Sequence, residues 1–215
     1  SAPAEVHGMG WLAANAVGNP VLGTGRRSGL ALGLNPRHRE IMHMSNLILK
    51  VIGTVHSPFR GAVGTPIQSA MARGVEGAVE VFPEFVPGLQ DLEGFERIWL
   101  LYWFDRVALR QLVVKPFLDQ QEHGVFATRS PCRPNSLGLS CVRPLGIDGG
   151  RLRIMDVDIL DGTPLVDIKP YAPQFDSFEV SRIGWLQNKG SQPVLADNRF
   201  ERKGEARREG KPGVS

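Results

Sequence analysis

The chain has 215 residues, 42% of them hydrophobic, with a formal charge of +3 and an isoelectric point near 9.1, which is apolar content enough for one good core. The excess base lies toward the ends, because residues 51–186 carry 13 bases against 16 acids, so nucleic-acid binding cannot rest on bulk charge and needs local clusters. Two cysteines and five histidines without ligand spacing exclude a disulfide framework and a zinc pattern, and no run approaches the ~18 apolar residues of a membrane span; a reduced, cytoplasmic protein with no metal and no membrane anchor is expected.

Residues 1–46 mix Gly, Ala, Asn and Arg without periodicity and are expected to form a poorly ordered extension. Arg26-Arg27 and the short Leu-Ala-Leu-Gly-Leu run after it imitate an export signal but are too brief for one. From residue 47 to 186, short apolar stretches separated by Gly and Pro predict a single all-β domain, mainly antiparallel. Residues 47–55 and 78–82 are expected strands, with a corner at Pro87-Gly88. Residues 98–104, Ile-Trp-Leu-Leu-Tyr-Trp-Phe, are apolar at every position. That pattern predicts a strand buried on both faces, by the core and by another layer or subunit, with Trp99 and Trp103 shielded. Residues 106–118 read as a short helix or an irregular cover.

Residues 124–140 are the stretch that reads most like a site. Pro131 and Pro134 fix φ and bias the residues before them away from the helical region, so the loop should be stiff and extended. It presents Arg129, Arg133 and Asn135, two planar cationic forks and an amide. No acid interrupts the chain between Glu122 and Asp148, so a distant carboxylate or an anionic ligand must answer Arg129, Arg133 and Arg143. Asp148-Gly149-Gly150 predicts a hairpin between strands over 139–145 and 151–160. A change of apolar phase at Ile154-Met155 predicts a β-bulge there, which sets Asp156 and Asp158 on one face.

The turn Asp161-Gly162-Thr163-Pro164 lets backbone approach a ligand closely. Asp167, Lys169 and Tyr171 alternate and so point the same way in an extended segment. Residues 187–215 mix seven bases with four acids and are expected to be a mobile basic tail that assists RNA binding without touching the cofactor site.

Ile52-Gly53 with Ser57-Pro58, Gly88-Leu89 through Gly94-Phe95, the motif over 124–131 with Arg133-Pro134-Asn135 and Gly138-Leu139-Ser140, and the motif from Asp161 to Tyr171 together resemble the TsaA-like, TrmO-type family of tRNA N6-methyltransferases. The resemblance spans about residues 50–185. It implies a small closed β-barrel with minor helices and long loops, S-adenosylmethionine as methyl donor, and a homodimer with the cofactor near the subunit interface. It also implies tRNA as partner and N6 of threonylcarbamoyladenosine, beside the anticodon, as methyl acceptor. Around the cofactor it places Pro66, Gln68, Arg129, Arg133, Asn135, Asp161, Gly162, Thr163 and Pro164. Asp158, Asp161 or Asp167 is available as the base, and Asp167, Lys169 and Tyr171 form the expected catalytic set. Two positions depart from the family pattern, Ile67 where arginine is usual and Asp105 where histidine is common. A non-catalytic S-adenosylmethionine or nucleotide sensor is the alternative, and a hydrolase or lyase built on Asp156 and Asp158 is a third class.

Overall fold

The computed structural model describes residues 48–190 and 193–200; the extension expected over 1–46 and the tail beyond Phe200 lie outside them. Eight strands run through the described residues: β1 (Gly53–His56), β2 (Glu76–Val81), β3 (Ile98–Trp103), β4 (Val113–Val114), β5 (His123–Gly124), β6 (Leu137–Asp148), β7 (Arg151–Met155) and β8 (Thr163–Pro170). Six pair antiparallel in the order β1-β2-β7-β6-β3-β8, and β8 pairs back onto β1, so each of the six has two neighbours. β4 and β5 form a separate two-stranded ribbon. Helical structure among the described residues is minor, a seven-residue 3-10 segment over Pro83–Leu89 and short turns such as α1 (Pro173–Asp176). The chain is therefore mostly antiparallel β, as its Gly and Pro punctuation predicts.

Alternation along the strands makes the core. Ile98, Leu100 and Tyr102 of β3, Leu152 and Ile154 of β7, Val142 of β6 and Leu165 of β8 all point inward and are buried. Each such aliphatic side chain contributes ~1.5–3 kcal/mol by leaving water. The tight hairpin lies where expected: Asp148 pairs with Arg151, and Gly149 takes the left-handed φ of 56° that the turn requires. Gly138 serves a different need, since a Cβ there would overlap the Tyr102 ring.

Of the two forms expected for residues 106–118, the irregular cover is the one seen, and it carries only β4. Other expectations need correction. The strand expected over 47–55 is shorter and begins at Gly53. The apolar run of β3 is not covered on both sides: its outward residues are Trp99, half-buried against Tyr171 at 5.8 Å between ring centroids, the half-buried Leu101, and Trp103, which is 47% exposed. Within one protomer the outer layer inferred from that run is thus only partial.

The change of phase in β7 lies at Asp156, after the strand has ended. Asp156 adopts φ 70°, and the N–H groups of Asp156 and Val157 both donate to the Val75 carbonyl at 2.8 and 3.2 Å, two residues opposing one as in a bulge. This turn separates the two aspartates. The Asp156 carboxylate is buried between Arg143 and Arg97, each at 3.0 Å, and accepts from Gly74 N–H at 2.9 Å. Asp158 turns instead toward Ser140. Asp156 and Asp158 therefore do not form the shared-face acid pair on which a hydrolase or lyase was expected to rest.

The start of the tail is also not free. Leu195 forms a β-bridge with Pro66, Ala196 N–H donates to Thr65 O at 2.8 Å, and Ile67 N–H donates to Val194 O at 3.2 Å. Only Val194, Leu195 and Ala196 stand between Pro193 and Asp197, too short an apolar run to show a period.

Candidate functional site

Two loops from distant parts of the chain meet through one side-chain contact. Arg129 donates from Nη1 to Oε1 of Gln68 at 2.6 Å, which joins the 124–140 loop to the segment carrying Pro66 and Gln68. The arginine loop is stiff for the reason its prolines suggest and for a second one. Thr128 Oγ1 donates to Val125 O at 2.9 Å, Ser130 N–H to Thr128 Oγ1 at 3.2 Å, and Cys132 N–H to Ser130 Oγ at 3.3 Å. Such side-chain bonds to backbone hold a loop that has no ladder of its own. Burial pushes the Cys132 thiol up from its usual pKa, which keeps it protonated and weakly nucleophilic.

The three arginines left without an acid nearby in sequence are answered differently. Arg143 is answered by Asp156. Arg133 donates to the carbonyls of Thr128 and Val125 at 2.7 and 3.2 Å, so its fork shapes its own loop, 5.9 Å from the Phe126 ring. Arg129 meets a neutral amide. Phe126 is 75% exposed beside them, and Asn135 is exposed with its backbone carbonyl accepting from Leu137 N–H at 2.7 Å.

Beneath Gln68 and Arg129 lies Asp158, which the arguments from motif and alternation singled out only as one of several acids. Its Oδ1 is buried and has no hydrogen-bond partner. Ser140 and the Ser69 N–H supply hydrogen bonds to the carboxyl, and the charge of Arg129 faces it. Burial prevails over these and pushes the Asp158 pKa up to about 6. The Ser140 hydroxyl is also 3.0 Å from the Tyr102 hydroxyl. Burial first, and the charge of Asp158 second, push the Tyr102 pKa upward. Ser140 has one proton, so when it donates to ionised Asp158, the Tyr102 hydroxyl donates to Ser140.

The Asp161–Pro164 turn is built largely for its own sake. Asp161 accepts from Ser57 N–H at 3.2 Å, pairs with Arg60, and lies 3.4 Å from His56 Nδ1. Arg106 donates to the Asp161 carbonyl, and Gly162, at φ 79°, donates its N–H to Val55 O at 2.8 Å. Thr163 is buried, and Pro164 stands half-buried at the start of β8. Asp167 and Lys169 share the outer face of β8 and form a 2.8 Å ion pair, with Tyr171 beyond them against Trp99. Among the described residues, no hydrogen bond or ion pair joins this outer group to Gln68 or Arg129.

The C-terminal segment fastens both loops of the site. Residues 194–196 pair with 64–67, as described above. Arg199 donates to Pro116 O at 2.9 Å and lies 4.7 Å over Phe117, while Phe200 packs edge-on against the same ring. Trp185 stacks on His123 at 4.5 Å and donates to Ala127 O at 2.8 Å. Lys189 and His123 both reach Asp119 at 3.1 Å, and their hydrogen bonds hold its carboxyl well below the usual carboxylate range. Among the described residues there is no cluster of three metal-ligating side chains and no helix long and apolar enough to cross a membrane.

Residues 54–177 match the family model described as tRNA-methyltransferase O N-terminal domain. A probable S-adenosyl-L-methionine-binding protein of Pyrococcus abyssi is 55% identical over 136 residues, covering 63% of this chain and 74% of that protein. The tRNA (adenine(37)-N6)-methyltransferase of Mus musculus is 34% identical over 143 residues, 63% of this chain but only 33% of the mouse protein. The crystal structure of TrmO from Pseudomonas aeruginosa superposes with a TM-score of 0.56 at 37% identity, covering 66% of this chain and 63% of that one. The chain thus spans most of the archaeal relative, and less than two thirds of the solved structure.

Proposed function

This chain belongs to the tRNA-methyltransferase O N-terminal domain family, and from that membership we propose that it binds S-adenosyl-L-methionine and methylates N6 of threonylcarbamoyladenosine beside the anticodon of tRNA, in the cytoplasm. The observation that carries this reading is the meeting of Gln68 with Arg129 over the unpartnered, buried Oδ1 of Asp158. A cationic fork, an amide and an acceptor lacking a donor fit a ligand that combines a carboxylate, hydroxyls and positive charge. When bound, S-adenosylmethionine supplies an electrophilic methyl group on a sulfonium sulfur.

The chain's own residues have the remaining tasks. Gln68 and Arg129 hold the cofactor, with Pro66 and the Asp161–Pro164 turn bounding it and Arg133 and Asn135 shaping the loop around it. Orientation supplies much of the rate, because acceptor and methyl are brought into line before reaction. Asp167 would take the proton that N6 gives up when it accepts the methyl group. Lys169 and Tyr171 stabilise the charge that develops on the carbamoyl oxygen. The ring of six strands serves as a small barrel carrying these groups. A second copy of the chain covers the outer face of β3 and β6, where Trp103 and Leu139 are 47% and 44% exposed, and forms a homodimer with the cofactor near the interface.

The experiment is transfer of labelled methyl from S-adenosylmethionine to tRNA, with light scattering to read the oligomer. A second reading, a non-catalytic S-adenosylmethionine sensor, is favoured by the name of the Pyrococcus abyssi relative. Saturable cofactor binding with no label in tRNA would select it.

A further inference from the structure

We infer that Asp158 is the counter-ion for a positive charge of the bound cofactor, its buried Oδ1 receiving either the sulfonium or the α-ammonium group. The inference rests on the cofactor reading above and adds to it the residue that answers the cofactor's positive charge. Three observations carry it.

The first is the orphaned acceptor. A buried carboxylate oxygen with no hydrogen bond forfeits hydration and gains nothing in return. Such a group in a folded protein calls for an explanation, and a ligand that supplies the missing partner is one. The second is position. Asp158 sits under the Gln68–Arg129 bridge and takes hydrogen bonds from Ser140 of β6 and from Ser69 N–H, next to Gln68, so a cofactor held by those two loops lies over it. The third is the charge around it. The groups facing Asp158 are the Arg129 guanidinium and the Tyr102 hydroxyl, with Ser140 between tyrosine and carboxyl. Arg129 is its one cationic neighbour among these, and its hydrogen bond goes to Gln68 instead. The carboxyl is left under-neutralised, and burial raises its pKa to about 6. A cation arriving in this low-dielectric place gains more from a carboxylate than it would in water.

Linkage gives the consequence. Without ligand the carboxyl is partly protonated near pH 6; a cation binds the ionised form and expels the proton, so affinity falls as pH drops through 6. Compounds without the relevant charge lack this dependence.

The test is calorimetric titration of the full chain at pH 7.5 and pH 5 with three ligands: S-adenosylmethionine, S-adenosylhomocysteine, which keeps the ammonium only, and 5′-methylthioadenosine, which has neither charge. We expect S-adenosylmethionine affinity to fall about tenfold at pH 5, as one unit below the pKa requires, while 5′-methylthioadenosine is unchanged. S-adenosylhomocysteine following the pH assigns the ammonium; its indifference assigns the sulfonium. Asp158→Asn, nearly isosteric and checked by its melting curve, should abolish the pH dependence. Measurable S-adenosylmethionine binding that is equal at both pH values, or a dependence surviving in Asp158→Asn, overturns the inference while leaving the cofactor reading intact. No binding of any of the three ligands overturns both.

Discussion

Arg129 and Gln68, 61 residues apart in the chain, meet through a 2.6 Å hydrogen bond, and that contact closes the arginine loop onto the segment held by the C-terminal residues. Removing the fork removes a charged hydrogen bond and its geometry together. Arg129→Ala should weaken S-adenosylmethionine binding about 10- to 100-fold, roughly 1.5–3 kcal/mol, and Arg129→Lys should recover little because a point charge does not replace a planar fork. Titration calorimetry reads both; wild-type affinity in the alanine variant would remove Arg129 from the cofactor site.

Deleting residues 187–215 should lower both thermal stability and cofactor affinity. The deletion takes away the pairing of 194–196 with 64–67 and the Arg199 and Phe200 contacts at Pro116 and Phe117. A few backbone hydrogen bonds and one aromatic contact correspond to roughly 2–4 kcal/mol. Deleting only residues 201–215 should leave both properties near wild type. If the longer deletion melts and binds like the shorter one, the segment is an appendage and not a fastener.

Lys169→Met tests the outer group of β8. Lys169 pairs with Asp167 on an exposed face, so stability should change little. Loss of a cation aimed at developing charge costs ~3 kcal/mol, about a hundredfold in turnover, with cofactor binding preserved. Single-turnover kinetics at saturating cofactor decides the matter, and an unaltered rate would strike Lys169 from the catalytic set.

Asp158 predicts a pH-dependent gain from its own neutralisation. Its folded pKa of about 6 lies above the unfolded carboxylate value, so the folded state holds the proton more tightly. Stability from this source is present below ~4 and is lost as pH rises through about 6. Asp158→Asn should therefore melt a few degrees higher than wild type at pH 7.5, reflecting about 1–3 kcal/mol, and the advantage should vanish near pH 4. An equal advantage at both pH values would mean that Asp158 is not buried as an ionisable group.

Much of the fold is legible in the residues. Gly149-Gly150 between alternating strands specifies a hairpin. The outer face of β3 is less so, because Trp99 and Trp103 are apolar without being fully covered in one protomer. The family resemblance proposes Gln68 and Arg129 as partners of a ligand, yet it cannot reveal that Arg133 and Asp161 are engaged within the chain. Those engagements depend on Thr128 and Val125 carbonyls and on His56 and Arg60, which approach only in the folded state. Asp158 is not set apart from the other candidate acids for a related reason: the left-handed turn at Asp156 sends the two aspartates to different partners, whereas alternation alone puts them side by side.

The central claim is transfer of a methyl group to one position of one nucleoside, and mass spectrometry of digested tRNA tests it most directly. Unmodified and threonylcarbamoyl-modified tRNA are each incubated with the full chain and S-adenosylmethionine, then digested to nucleosides. The account predicts that threonylcarbamoyladenosine, and no other nucleoside, becomes one methyl group heavier, with the gain placed on the N6-bearing base fragment and lost in Lys169→Met. A cofactor-saturated protein that leaves every nucleoside at its original mass, or methylates adenosine lacking the carbamoyl group equally well, would contradict it.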